Sequence, residues 1–143
     1  MNELKAVFWD VDGTLADTEM YGHRIAFNLA FKSFNLDWHW KATTYARLLK
    51  VSGGLNRIIH FANNLNIPID IDFIKRIYKQ KQIFYRNIVE QGQIPIRTGV
   101  IRLVNELKGL NIEQWIVTTS NRKSLFPLLE SHFLEQRSFF RGY

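Results

Sequence analysis

The chain has 143 residues, of which 46% are hydrophobic and 22% are charged. These proportions are typical of a globular domain and exclude an intrinsically disordered chain. No apolar run reaches the ~18–20 residues of a membrane span, and the lack of Cys excludes a disulfide framework or a thiolate metal site. The first residues carry no signal-peptide pattern, so we expect a cytoplasmic protein without a membrane partner.

The formal net charge of +6 raises the question of nucleic-acid binding. Basic residues are scattered from Lys5 to Arg141 in runs no longer than two. The densest group falls in one predicted helix, on a face that we expect to be solvated, and comprises Lys75, Arg76, Lys79 and Lys81. No nucleic-acid-binding module accompanies it. We therefore predict no nucleic-acid partner and assign the charge to attraction of small anionic substrates.

The order of predicted elements indicates an α/β fold. Residues 6–11 form a continuous apolar run typical of a buried parallel strand. Helical periodicity then predicts helices over residues 18–34, 41–50, 55–65 and 70–89, the last with Asp70 as N-cap. A linker near residues 92–95 precedes a helix over 99–108, a second buried strand over 113–118 and a helix over 121–133. Phe139 and Phe140 are candidates to open a third strand.

The long segment between the two strands predicts an inserted domain. About 75 residues separate the turn after the first strand from Gly92, far more than an ordinary crossover contains. We therefore predict a core formed by residues 1–16 and 92–143, with a helical cap over residues 17–91. The strands are joined by a helical crossover, so the sheet is predicted to be parallel.

Two carboxylates follow the first strand directly. Asp10 and Asp12 flank Val11, and residues two apart in an extended segment point to the same side. In open α/β sheets, sites form beyond the carboxyl ends of the strands. One carboxylate could therefore act as a nucleophile and the other as a proton shuttle. Close carboxylates require a cation, and an all-oxygen ligand set favours Mg²⁺. A turn without function is the alternative.

Polar residues also follow the second strand. Thr118, Thr119 and Ser120 lead into a predicted helix that begins at Asn121. Hydroxyls and unpaired N–H groups at a helix N-terminus form an anion site that suits phosphate. A plain helix cap is an equally good interpretation of these residues.

These motifs together resemble the haloacid dehalogenase superfamily. Residues 8–15, FWDVDGTL, look like its motif I, and residues 116–120, IVTTS, resemble its motif II. The helical insert resembles the type-1 cap. Segments similar to the CbbY-like branch, together spanning nearly the whole chain, lie at 17–19, 22–24, 26–28, 36–40, 48–54 and 94–100. Within the last segment, Thr98 stands where family members usually have Pro.

The resemblance implies a Mg²⁺-dependent phosphatase for small phosphorylated sugars, with xylulose 1,5-bisphosphate as the substrate in the CbbY branch. Asp10 would attack phosphorus to form an aspartyl-phosphate, and Asp12 would be the general acid and then the general base. The carboxylate of Asp10 and the backbone carbonyl of Asp12 would bind Mg²⁺. Thr118, with Thr119 and Ser120 nearby, would hold the transferring phosphoryl group.

Substrate contacts outside the catalytic pair are also implied by the resemblance. They would come from His23, Gly54 and Arg57 in the cap, with Asp17 and Glu19 facing substrate hydroxyls at the hinge. The residues themselves leave other interpretations open. Arg57 could be solvated on a helix surface, His23 could be a satisfied helix residue, and the two acids could be favourable charges in a first helical turn.

Two family motifs find no match in this sequence. The Lys of motif III and the carboxylate pair of motif IV are expected after the third strand, whereas the last Asp is Asp72. Beyond Asn121 the only carboxylate side chains are Glu130 and Glu135, and Lys123 lies too early for motif III. A catalytically incomplete fragment and a beta-phosphoglucomutase-like mutase are therefore alternative predictions. A core truncated in this way would expose a sheet edge, through which we expect self-association.

Overall fold

The two described strands form a parallel sheet. The computed structural model describes residues 3–120 and 122–142. Strand β1 spans Ala6–Trp9 and pairs with β2, Glu113–Ile116, in a register that sets Ala6 opposite Glu113. The predicted α/β class with a parallel sheet is confirmed. Both strands are shorter than predicted, since the regular pairing ends at Trp9 and Ile116.

Six α-helices are present in the described residues. They are α1 (Arg24–Ser33), α2 (Ala42–Leu48), α3 (Gly54–Asn64), α4 (Ile71–Glu90), α5 (Val100–Gly109) and α6 (Arg122–His132). The first predicted helix is divided, since a π-helical turn over Glu19–His23 precedes α1. Asp70 caps α4 as predicted, because its Oδ1 accepts the N–H groups of Asp72 (2.9 Å) and Phe73 (3.2 Å). In the described ranges, none of these helices is long and apolar enough to span a bilayer.

The chain divides into two compact units. The first takes in the described residues up to Gly22 and those from Ile88 onward, and the second is His23–Asn87. The first unit therefore holds both strands, α5 and α6, whereas the second holds α1, α2, α3 and most of α4.

An aromatic cluster forms the core of the second unit. Phe27, Phe31, Trp40 and Tyr45 are fully buried, and the Trp40 ring lies 4.6 Å from Phe27 and 4.9 Å from Phe31 between centroids. The Asn28 side chain holds the Trp40 backbone in place: its Oδ1 accepts the Trp40 N–H at 2.8 Å, and its Nδ2 donates to the Trp40 carbonyl at 3.1 Å. Because these rings interlock, the segment before α2 is anchored on α1.

A buried glutamine links the sheet to α5 in the first unit. Gln114 is fully buried; its Oε1 accepts the Trp9 Nε1–H at 3.1 Å, and its Nε2 donates to the Val104 carbonyl at 3.0 Å. The prediction of a buried second strand over residues 113–118 is therefore wrong for Trp115 and Val117, which are exposed. Side chains alternate across a strand, and here Gln114 and Ile116 face the core while Trp115 faces outward.

The opposite face of the sheet is open. Phe8 and Trp115 are partners across the two strands, and they are 67% and 36% exposed. Val117, next on the same side, is also exposed. The expectation of a first strand buried on both faces is therefore wrong for the described residues, because no described element covers this side of Phe8.

A third chain segment begins to pair with β2 where the sequence suggested a third strand. Phe140 forms a parallel bridge with Gln114, whose carbonyl accepts the Arg141 N–H at 2.8 Å. The Ile116 N–H in turn donates to the Gly142 carbonyl at 3.0 Å. Phe139 itself belongs to a short 3₁₀ helix, Arg137–Phe139, so pairing starts one residue later than its aromatic pattern suggested.

Candidate active site

A tight turn places the two aspartates after β1. The Val11 carbonyl accepts the N–H groups of residues 14–16 at 3.0–3.2 Å, which closes the loop on itself. Gly13 adopts a φ of +78°, a left-handed conformation that glycine takes without steric cost. The turn therefore presents Asp10 and Asp12 at the carboxyl end of β1, beside the end of β2.

The two carboxylates have different surroundings. Asp10 is exposed, and its Oδ2 accepts a hydrogen bond from Thr14 Oγ1 at 3.0 Å. Asp12 is half-buried, and its Oδ2 accepts a short hydrogen bond from Ser120 Oγ. The other oxygen of Asp12, Oδ1, is buried and has no hydrogen-bond partner in the described part of the chain. A buried carboxylate oxygen without a donor is costly, so this atom is suited to a ligand, a cation or a transferable proton.

The segment after β2 turns toward Asp12. Thr118 Oγ1 accepts the Ser120 N–H at 3.0 Å, which orients the Ser120 hydroxyl toward Asp12. Thr118 is half-buried and Thr119 is exposed. Helix α6 begins at Arg122, and the proposed cap residue Asn121 lies outside the described residues. The structure thus brings Asp12 and Ser120 together across 108 positions of sequence.

The donor set at the two aspartates fits Mg²⁺ in type. Among the described residues, no group of three or more His, Cys, Asp or Glu is placed to hold a metal. Mg²⁺ does not require such a group, since it commonly binds through one or two carboxylates and keeps water or substrate phosphate as its other ligands. Two aspartates, neighbouring carbonyls and the unpartnered Asp12 Oδ1 supply only hard oxygen donors.

A buried lysine in the second unit contradicts the sequence interpretation. Lys81 was expected on a solvated helix face, but it is only 3% exposed. Its Nζ donates to His23 Nδ1 at 2.8 Å and lies 4.9 Å from the ring centroids of Phe27 and Tyr85. The aromatic faces stabilise the ammonium group where water cannot. The sequence analysis missed the burial of Lys81 because charged helix residues are usually solvated. Its spacing from the apolar residues of α4, however, indicates that it lies on their buried face. It occupies the buried stripe formed by Ile74, Ile77, Lys81, Tyr85 and Ile88.

His23 is neutral in this setting. Burial lowers its pKa well below the ordinary value, and the nearby Lys81 and Arg57 cations lower that pKa further. Because the Lys81 ammonium donates to Nδ1, the proton of the neutral ring lies on Nε2. The ring stacks on Tyr85 at 3.9 Å. His23 therefore presents one N–H donor, and its other nitrogen is already engaged by Lys81.

This arrangement predicts a stability change with pH. Below about pH 6.5, His23 binds a proton in the unfolded chain but not in the folded one, so the free energy of unfolding should fall as the pH falls. One such group contributes up to about 1.4 kcal/mol per pH unit. Urea titrations at a series of pH values below 6.5 would measure this. The free energy of unfolding of the His23→Gln variant should fall less steeply with falling pH than that of the parent. An equally steep decline in the parent and the His23→Gln variant would contradict the prediction. His60→Gln, at an exposed position of α3, is the matched control.

Arg57 and Gly54 both have packing roles in the second unit. Arg57 is half-buried; its Nε donates to the Val51 carbonyl at 3.0 Å and its Nη1 donates to the Tyr45 hydroxyl at 3.2 Å. The alternative interpretation of Arg57 as a solvated surface residue is therefore wrong. At Gly54, an added Cβ would come within 2.7 Å of the Tyr78 ring, so a larger residue there would require that ring to shift.

Asp17 and Glu19 lie at the start of the π-helical turn. Asp17 Oδ1 accepts the Met20 N–H at 3.4 Å, and Glu19 is the acidic residue of the first turn. Both observations agree with the simple interpretation as favourable charges at a helix start. Asp17 also lines a concavity of the first unit.

The fold and the aspartate turn define a hydrolase class. Residues 4–137 match the family of haloacid dehalogenase-like hydrolases, and the chain belongs to this family, as the motif I resemblance predicted. It is 39% identical over 137 residues to the plasmid-encoded protein CbbY of Cupriavidus necator, covering 90% of this chain and 52% of that protein. It is 37% identical over 131 residues to CbbY of Rhodobacter capsulatus, covering 92% and 57%.

Solved structures agree with this assignment. CbbY from Rhodobacter sphaeroides in complex with phosphate is 31% identical, with a TM-score of 0.72, and the match covers 98% of this chain and 62% of that one. A mutant of the same protein in complex with xylulose 1,5-bisphosphate is 30% identical, with a TM-score of 0.73 and the same coverage. The predicted fold class is thereby confirmed. The chain spans about half the length of the curated relatives that it matches.

Proposed function

We propose that this chain carries the catalytic aspartates of a Mg²⁺-dependent phosphatase that acts on small phosphorylated sugars. The observation that carries the proposal is the meeting of two strand ends: the Asp10–Asp12 turn after β1 and Ser120 after β2, joined by the Ser120–Asp12 hydrogen bond. Family membership and the phosphate complex of the similar CbbY support it. A cytoplasmic location is part of the same proposal.

Asp10 is the proposed nucleophile because its carboxylate is exposed to an incoming substrate. Its attack on phosphorus forms an aspartyl-phosphate and breaks the bond to the sugar oxygen. Asp12 donates a proton to that oxygen as it leaves, and then accepts a proton from the water that hydrolyses the acyl-phosphate. The hydrogen bond from Ser120 engages one Asp12 oxygen, so Oδ1 is the oxygen left without a partner among the described residues.

The Asp10 carboxylate and the Asp12 backbone carbonyl would hold Mg²⁺, which supplies positive charge against the phosphoryl oxygens. Thr118 and Thr119 would hold the phosphoryl group through their hydroxyl and backbone N–H donors, with Ser120 nearby. The Ser120 N–H already donates to Thr118 Oγ1. The hydroxyl proton of Thr118 is thereby directed away from its own turn and can be donated to a phosphoryl oxygen.

We propose that the second unit supplies the substrate contacts of a type-1 cap. His23 would donate its Nε2–H, while Arg57 would present a guanidinium already oriented by Val51 and Tyr45. Asp17 and Glu19, which belong to the first unit, would accept hydroxyl protons from the sugar. Gly54 would contribute by leaving room beside Tyr78. The xylulose 1,5-bisphosphate complex of a similar protein makes that sugar the first substrate to test.

The direct test is phosphate release from xylulose 1,5-bisphosphate, with Mg²⁺ and with EDTA. Metal-dependent release would support the proposal. No release from a folded chain that binds the sugar would favour the catalytically incomplete alternative. Conversion of β-glucose 1-phosphate to glucose 6-phosphate without free phosphate would favour the mutase.

Self-association is a further expected property of the open sheet face. Phe8 and Trp115 form an adjacent apolar pair on it, and contact with a second copy would remove that surface from water. Sedimentation velocity should therefore detect a concentration-dependent dimer, which Phe8→Lys abolishes. Leu65→Lys, at an exposed position of the second unit, should not change the dimer. A parent chain that stays monomeric at high concentration would contradict the prediction.

A further inference from the structure

A concavity in the first unit has no role in the catalytic steps proposed above. It measures about 400 Å³, within the range of small-molecule sites. Its lining is mostly polar and comprises Asp17, Tyr21, Pro95, Ile96, Arg97 and Thr98. The sequence pointed to only one of these residues, Asp17, as a substrate contact.

Two opposite charges line this concavity without neutralising each other. The Arg97 guanidinium is exposed and forms no hydrogen bond or ion pair with the described residues. Within the described residues, the Asp17 carboxylate accepts only the long 3.4 Å bond from the Met20 N–H. A ligand that satisfies both must carry an anionic acceptor for Arg97 and a hydroxyl donor for Asp17. A phosphorylated polyol has both groups, and a guanidinium binds phosphate through two parallel hydrogen bonds.

Backbone pairing holds the concavity close to the aspartate turn. Ala16 forms one β-bridge with Asp12 and another with Ile96. The Arg97 N–H donates to the Leu15 carbonyl at 3.0 Å, and the Asp17 N–H donates to the Pro95 carbonyl at 3.0 Å. Bridge partners lie about 5 Å apart, so two successive bridges place the Ile96 backbone within about 10 Å of the Asp12 backbone. A pentose with a phosphate at each end can span that separation.

We infer that this concavity is a binding subsite for the far end of a phosphorylated sugar. Arg97 binds the phosphate that is not attacked by Asp10, and Asp17 accepts a proton from a sugar hydroxyl. The exposed Tyr21 ring covers the carbon chain. This inference rests on the proposed function, and it assigns the second phosphate to Arg97 rather than to Arg57, two of whose donors are already bonded to Val51 and Tyr45.

The test is binding to the full chain carrying Asp10→Asn, which prevents turnover. Titration calorimetry with xylulose 1,5-bisphosphate and, separately, with inorganic phosphate would be compared for that chain and for the same chain carrying Arg97→Gln. Arg97→Gln should weaken bisphosphate binding about 10- to 100-fold, as expected for loss of a charged hydrogen bond, and leave phosphate binding within about twofold. Arg102→Gln, on the exposed side of α5, is the matched control and should bind both ligands normally.

The outcomes separate the two proposals. Equal bisphosphate affinity with and without Arg97 would overturn the subsite and leave the proposed function intact. Failure of the Asp10→Asn chain to bind either ligand would overturn both. An equal loss for bisphosphate and inorganic phosphate would also overturn the subsite, because it would place Arg97 at the phosphate that Asp10 attacks. Far-UV circular dichroism would establish that each variant is folded.

Discussion

Replacing Asp10 with Asn is expected to lower Mg²⁺-dependent phosphate release by at least about 10⁴-fold, the scale on which loss of a covalent catalyst acts. Asn has the same shape, and its carbonyl oxygen can still accept the bond from Thr14 that Asp10 Oδ2 accepts. The neutral amide, however, cannot attack phosphorus. The loss should therefore appear in kcat, measured by continuous phosphate release, while the variant still binds xylulose 1,5-bisphosphate.

Asp70→Asn is the matched control for this substitution. It makes the same chemical change at the N-cap of α4, where Asn caps as well as Asp, so phosphate release and stability should both stay close to those of the parent. Phosphate release that survives Asp10→Asn would contradict the aspartyl-phosphate mechanism. It would instead favour a mechanism in which Asp12 activates a water molecule that attacks phosphorus.

Replacing Gln114 with Leu is expected to lower the free energy of unfolding by about 3 kcal/mol. The change leaves two buried polar groups without partners, the Trp9 Nε1–H and the Val104 carbonyl. Leu fills much of the same space, so the cost comes mainly from those groups rather than from a cavity. Urea titration followed by far-UV circular dichroism would measure it.

A double-mutant cycle sharpens the Gln114 prediction. In a chain that carries Trp9→Phe, the Nε1–H is absent, so Gln114→Leu should cost less than in the parent by about 1 kcal/mol or more. Gln91→Leu, at an exposed position after α4, should change stability by less than about 0.5 kcal/mol. A similarly small cost for Gln114→Leu would mean that this hydrogen-bonded link contributes little.

Local sequence patterns predicted the elements and the chemistry of the aspartate turn. The apolar run ending in Asp-Val-Asp-Gly predicted a strand followed by carboxylates, and the parallel pairing of β1 with β2 follows from the helices between them. Asp70 was recognised as a cap because capping involves only the next few residues. The left-handed Gly13 likewise follows from the turn itself.

The errors concern burial, which depends on distant parts of the chain. Lys81 looked like a surface residue because Phe27 and His23, which enclose and bond it, lie more than fifty positions away in sequence. The second strand was predicted to be buried, yet its Trp115 faces outward and its polar Gln114 faces the core. Phe8 looked buried, yet its side of the sheet is uncovered in the described residues.

The sequence by itself determined the family, the order of strands and helices, and the residue types available for phosphoryl transfer. These depend on periodicity, turn chemistry and motif spacing, which act within a few residues. Only the tertiary structure decided that Ser120 bonds Asp12 across 108 positions and that Lys81 bonds His23 across 58. It also decided that Arg97 and Asp17 share one concavity. Such contacts arise when the chain packs, because packing brings together residues whose local patterns carry no information about each other.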